Sequence, residues 1–139
     1  MIDKKDMGTA YHKRGFNCAQ AVALPFSKEL GLDPDFIVRA MEGFGGGMGG
    51  YDLTCGALSG VVFVASILYS GGNHDNGPKD KRATYALIKE LVNKFRIICG
   101  HDNCKVIRGI ETKKPLLTCD ECIRNGISIL EELIKEKSI

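Results

Sequence analysis

The run CGALSGVVFVASILYSGG, from Cys55 to Gly72, is apolar on nearly every side. A segment of that kind has to be buried all round, so the other elements must pack about it. Its β-branched residues, Val61, Val62, Val64 and Ile67, also suit a buried strand, but its length and its Gly-Gly stop favour the central helix of a bundle. The flanking segments supply partners. CAQAVALPFSKELG, after Asn17, reads as a helix kinked at Pro25 and stopped at Gly31. Asp33 followed by Pro34 reads as a cap with proline in the first helical position, opening PDFIVRAMEGF. Leu87, Leu91, Phe95 and Ile98 form one apolar stripe over Lys81 to Ile98, and Ile123, Ile127, Leu130 and Ile134 form another over Cys119 to Lys137. Asp3 to Arg14 reads as a polar lead-in and Asn73 to Asp80 as a turn-rich loop. The expected fold class is all-α: a compact bundle of four to five helices with a glycine-rich inter-helix loop, forming one domain over residues 1–139.

Composition narrows the function classes. With 139 residues the chain can bury a core without staples. Its formal charge of +2, from 19 basic and 17 acidic residues spread along the chain, leaves no basic block, and there is no Trp, so nucleic acid is not an expected partner. MIDKKDMGTAYHK is too charged for a signal peptide, and Ala57 to Tyr69 falls short of the ~20 residues that cross a bilayer. The expected address is therefore the cytoplasm, away from membranes. In that reducing setting six cysteines read as metal ligands or redox thiols rather than as a disulfide framework.

FGGGMGG, Phe44 to Gly50, bears on the same question. Gly45, Gly47 and Gly50 match G-x-G-x-x-G, which binds nucleotides only between a strand and a helix. Here a helix precedes it, and no G-K-[ST] follows. Two readings stay open: a flexible hinge, or a backbone freed to approach a buried group and point N–H donors at it. Cys55, just downstream, favours the second.

The cysteines sort by the residue before them. Asn17, Thr54, Asn103 and Thr118 precede Cys18, Cys55, Cys104 and Cys119. Asn and Thr are preferred helix caps, and Ser, Thr, Asn and Asp make up only roughly a fifth of the chain. Four thiols would then open four helices, where unpaired N–H groups and the helix dipole favour thiolates. A second grouping, Cys99, Cys104, Cys119 and Cys122, has the paired spacing of a structural zinc site, with His101 between its members. It leaves Cys18 and Cys55 without a role. Cys119-Asp-Glu-Cys122 alone also has redox CxxC spacing, but no βαβ pattern surrounds it. His12 and His74 lie in polar segments and are expected to be solvated.

GFNCAQAV, FGGGMGG, CGALSG, NCKVIRG and CDECIRNGISILEEL, in this order, resemble the redox-active protein family named for its C…GCAxxG…C…C cysteine pattern. A similar module occurs in split-Soret cytochromes, which carry an iron–sulfur centre beside their haem. Motif by motif, the family cysteines fall on Cys18, Cys55, Cys104 and Cys119, the four chosen by capping. The resemblance implies iron–sulfur binding or thiol redox chemistry. Gly56 separates Cys55 from Ala57 where the family pattern reads Cys-Ala directly, and Cys99 and Cys122 are additional to it.

The expectation is an iron–sulfur electron-transfer protein with Cys18, Cys55, Cys104 and Cys119 as ligands. The N–H groups of Gly45, Gly46, Gly47, Gly49 and Gly50 would face the cluster, and Asp52 and Thr54 would hold the helix start. The expected assembly is a homodimer with an unidentified electron donor or acceptor protein. The alternatives are a thiol–disulfide oxidoreductase with a redox-active cysteine pair, and a zinc-stabilised interaction domain.

Overall fold

Caps and stops divide the chain, and the computed structural model describes residues 2–138. Asp3 accepts a hydrogen bond from the Lys5 N–H and opens α1 (Lys4–Lys13). Asn17 and Gln20 form a reciprocal capping box that opens α2 (Cys18–Ala23). A tight turn at Leu24–Phe26 carries Pro25 at its start, and α3 (Ser27–Leu30) continues the same rod to a left-handed Gly31. This is the single helix kinked at Pro25 that the sequence predicts. Asp33 caps α4 (Pro34–Glu42). An irregular glycine turn, Gly47–Tyr51, leads to the central α5 (Gly56–Tyr69). α6 (Lys81–Cys99) ends at a left-handed Gly100, and α7 (Cys104–Arg108) is capped by Asn103 and ends at a left-handed Gly109. A Thr118–Glu121 capping box opens α8 (Cys119–Lys137).

Counting α2 and α3 as one kinked rod, seven helices form among the described residues, where four or five were expected. The two additions have short or weak signals. The segment read as a polar lead-in is α1, whose contact with the bundle runs through Gly8 beside Ile127 and Ala21 rather than through a row of large apolar residues. α7 is five residues long, too short to display a period. Among the described residues there is no strand, only the isolated bridges Thr54–Asn103 and Asn73–Gly77.

α5 is the middle of the bundle, in contact with α2, α6 and α8, and Ala57, Val61, Val64 and Ala65 on it are fully buried. The buried line of α6 is Leu91, Phe95 and Cys99; Ile98, expected on that stripe, is 48% exposed. The true spacing is four and four, so Cys99 takes the core position. No helix of the described residues is long and apolar enough to cross a membrane.

α2 and α5 approach closely because Gly60 has no side chain. A Cβ there would lie 2.8 Å from the Val22 Cβ and 2.9 Å from the Ala19 carbonyl oxygen. The second neighbour is backbone and cannot turn aside. Gly60→Ala is therefore expected to lower stability by about 1–3 kcal/mol through overpacking, measured by urea denaturation. An increase of about 1 kcal/mol, the gain that alanine brings to an open helix, would show that the contact is loose.

Candidate metal centre

Two connectors, far apart in the chain, are clasped together. The Cys55 N–H donates to the Asp102 carbonyl at 2.7 Å, and the Cys104 N–H donates to the Leu53 carbonyl at 2.7 Å. The Asn103 side-chain amide adds a bond to the Asp52 carbonyl at 2.8 Å, while its Oδ1 caps α7. The clasp sets Cys55 beside Cys104. The Asn17–Gln20 box does the same for Cys18, because buried Gln20 also donates from Nε2 to the Val38 carbonyl at 2.8 Å and ties α2 to α4.

Cys18, Cys55, Cys104 and Cys119 all line one cavity of about 240 Å³, and Cys122 lines it with them. At a share of ~30 Å³ per liquid water, the space admits a group much larger than one ion. Three of the predicted positions are as the capping pattern implies: Cys18, Cys104 and Cys119 are the first residues of α2, α7 and α8. Cys55 differs. It is itself the cap of α5, and Thr54, expected to hold the helix start, instead pairs with Asn103 in the clasp. Asp52 contributes its carbonyl to the same clasp.

Gly56, the departure from the family pattern, has a steric explanation. A Cβ on it would stand 3.2 Å from both the Cys18 Cβ and the Ala19 nitrogen, so glycine lets α5 start against α2. In the glycine run only some residues touch the cavity. Gly46 lines it, and Gly47, at φ +55°, sits where a Cβ would come 2.6 Å from the Cys104 Cβ. Gly45 faces the Asn17 side chain; Gly49 and Gly50 are exposed, away from the lining. The larger cavity, about 650 Å³, lies between α4, α5 and α6 and contains no cysteine.

The thiols interact in two sets. Cys18 stands beside Cys119, and Cys122 beside both Cys55 and Cys99, near enough for each neighbour to shift the other. The contact with Cys18 pulls Cys119 down to about 6 despite burial, with help from the positive charge of Arg108 and from His12. Cys18 and Cys122 are raised, chiefly by these contacts, and burial adds to both. Cys55 and Cys99 are lowered, first by the contact with Cys122. The N–H groups of Ala57 and Leu58 at the start of α5 also favour the Cys55 thiolate, although they fall short of a full side-chain cap. Cys104 is raised by burial. Thus contacts between sulfurs, rather than helix ends alone, set the direction in which the thiols shift.

Residues the sequence did not single out complete the cavity. Arg108, the last residue of α7, lines it and stacks over the Tyr51 ring, 4.9 Å from the centroid. His12, expected to be solvated, also lines it and holds the Asp120 carboxylate at 2.7 Å. The α1 turn brings it there, which a lead-in could not do. His74 is fully exposed, as expected, and His101 lies outside the lining with Nδ1 accepting the Asn103 N–H at 3.0 Å. All six cysteines are free thiols. Cys99 is behind Cys122 and does not line the cavity, and among the described residues no three His, Cys, Asp or Glu side chains stand at the distances one ion requires. Neither the zinc grouping of Cys99, Cys104, Cys119 and Cys122 nor the set of Cys18, Cys55, Cys104 and Cys119 is assembled around one point.

Residues 16–133 match the model of a family described as Putative redox-active protein (C_GCAxxG_C_C). Among curated proteins and solved structures, nothing matches the chain.

The Cys18–Cys119 contact carries a pH prediction. In reduced, metal-free protein, alkylation of Cys119 by iodoacetamide should reach half its plateau rate near pH 6 and fall below it, because the thiolate is the reacting form. Cys18→Ala removes the donor and should slow the reaction at pH 7 by roughly tenfold. A half-plateau near the ordinary thiol value of about 8.5 in the unaltered protein would contradict the contact.

Proposed function

Since the chain belongs to the redox-active family defined by this cysteine pattern, we propose that it transfers electrons through an iron–sulfur cluster held by Cys18, Cys55, Cys104 and Cys119. The observation that carries the proposal is convergence: sulfurs from α2, α7, α8 and the cap of α5 ring one cavity too large for a single ion. An all-sulfur donor set suits iron–sulfur chemistry, and a cluster takes its sulfurs on separate irons, so they need not meet at a point. The bound cluster would supply a one-electron couple.

The protein's own residues would hold and tune that couple. Phe16 and Ile107 give the cavity apolar walls that exclude water. Arg108 sets a positive charge beside Cys104 and Cys119, which favours the electron-rich state. Gly47 keeps space open at Cys104, and Gly56 does so at Cys18.

A second reading rests on the Cys18–Cys119 pair. The Cys119 thiolate would attack a disulfide and release one thiol of the partner. Cys18, losing its proton, would then displace the other, so the protein ends with a disulfide and the partner with two thiols.

Anaerobic purification with iron and sulfide assays separates the two. The cluster reading expects a visible charge-transfer band with matching iron and sulfide, lost in Cys18→Ser. Colourless, iron-free protein that forms a Cys18–Cys119 disulfide with oxidised low-molecular-weight thiols would favour the second reading and refute the first.

A further inference from the structure

Five sulfurs line a cavity for which four ligands have been assigned, and the geometry points to Cys122 as a spare ligand that shares one corner of the cluster with Cys55. This inference rests on the cluster reading. Cys122 is 1% exposed, lines the cavity and contacts the Cys55 sulfur, so the two thiols meet at the same part of the wall. It lies three residues after Cys119 on α8, which sets both sulfurs on one helical face directed at the cavity.

What lies behind Cys122 holds it there. Cys99, 1% exposed at the end of α6, accepts the Cys122 thiol and in turn receives the Asn125 side-chain amide at 3.6 Å. Cys99 is thus a positioning residue: it touches Cys122 and Asn125 and does not itself line the cavity. Cys55, the other neighbour of Cys122, is held by the clasp to Asp102. Both residues line the cavity, so either sulfur is placed to serve the shared corner. A buried thiol with no role would pack as an apolar group; here it faces a sulfur-lined space instead.

The test compares iron content and visible absorption of anaerobically purified wild type, Cys55→Ser and the Cys55→Ser/Cys122→Ser double variant, with circular dichroism confirming that each is folded. Cys55→Ser is expected to keep roughly half or more of the wild-type iron, with a shifted band, while the double variant falls below roughly a tenth. A folded Cys55→Ser that loses iron as fully as the double variant overturns the inference and leaves the cluster reading intact. Iron-free wild type refutes the cluster reading itself.

A second measurement needs neither metal nor a variant. Metal-free wild type is treated with limiting diamide, which takes two hydrogens as two thiols become a disulfide, and is then mapped by peptide mass spectrometry. Because Cys55 and Cys122 both face the cavity and Cys99 does not, a Cys55–Cys122 link is expected. A link of Cys122 to Cys99 alone overturns the shared corner.

Discussion

The two hydrogen bonds that join Cys55 to Asp102 and Cys104 to Leu53 turn separate connectors into one wall of a site. Each is an ordinary backbone bond, worth on the order of 1 kcal/mol net in stability. Their larger effect is geometric. They fix the start of α5 against the start of α7, so that two sulfurs from distant parts of the chain stand side by side without a sheet to align them. Asn103 serves both ends of this arrangement, capping α7 with its oxygen and bonding Asp52 with its nitrogen.

The rest of the bundle delivers the other sulfurs to that wall. Close approach of α2 and α5 across Gly56 and Gly60 brings Cys18 in, and the capping box of α8 sets Cys119 beside it. Small residues at crowded points and polar residues at helix starts thus do complementary jobs. The former let backbones meet, and the latter decide where each helix begins and hence where each sulfur sits. Contact between thiols also shifts them, and neighbours such as Cys18 and Cys119 move in opposite directions.

Much of this was legible in the sequence. The apolar Cys55–Gly72 run implies the central helix, Pro25 marks the kink, and Asn17, Asn103 and Thr118 mark the helix starts that carry Cys18, Cys104 and Cys119. The departures have local causes. Thr54 resembles a cap, but the chain there is drawn into the clasp, so the helix begins one residue later than the pattern implies. α1 hides because its contact with the bundle runs through a glycine, and with it hides the approach of His12 to the cavity. Arg108 carried no signal of its own, and Cys122 showed only as a member of the zinc and CxxC spacings. Their roles come from the side of a helix they occupy relative to a partner, and the sequence holds no record of that partner until the chain is folded.

The central claim is that Cys18, Cys55, Cys104 and Cys119 surround one metal-bearing centre. The most direct measurement is X-ray diffraction from anaerobically grown crystals, with data collected on both sides of the iron absorption edge. The account predicts one compact region of iron anomalous density inside the cavity, bounded by those sulfurs and by the corner where Cys122 meets Cys55. Iron density elsewhere, or a cavity closed by a disulfide between Cys18 and Cys119 with no iron in it, would contradict it.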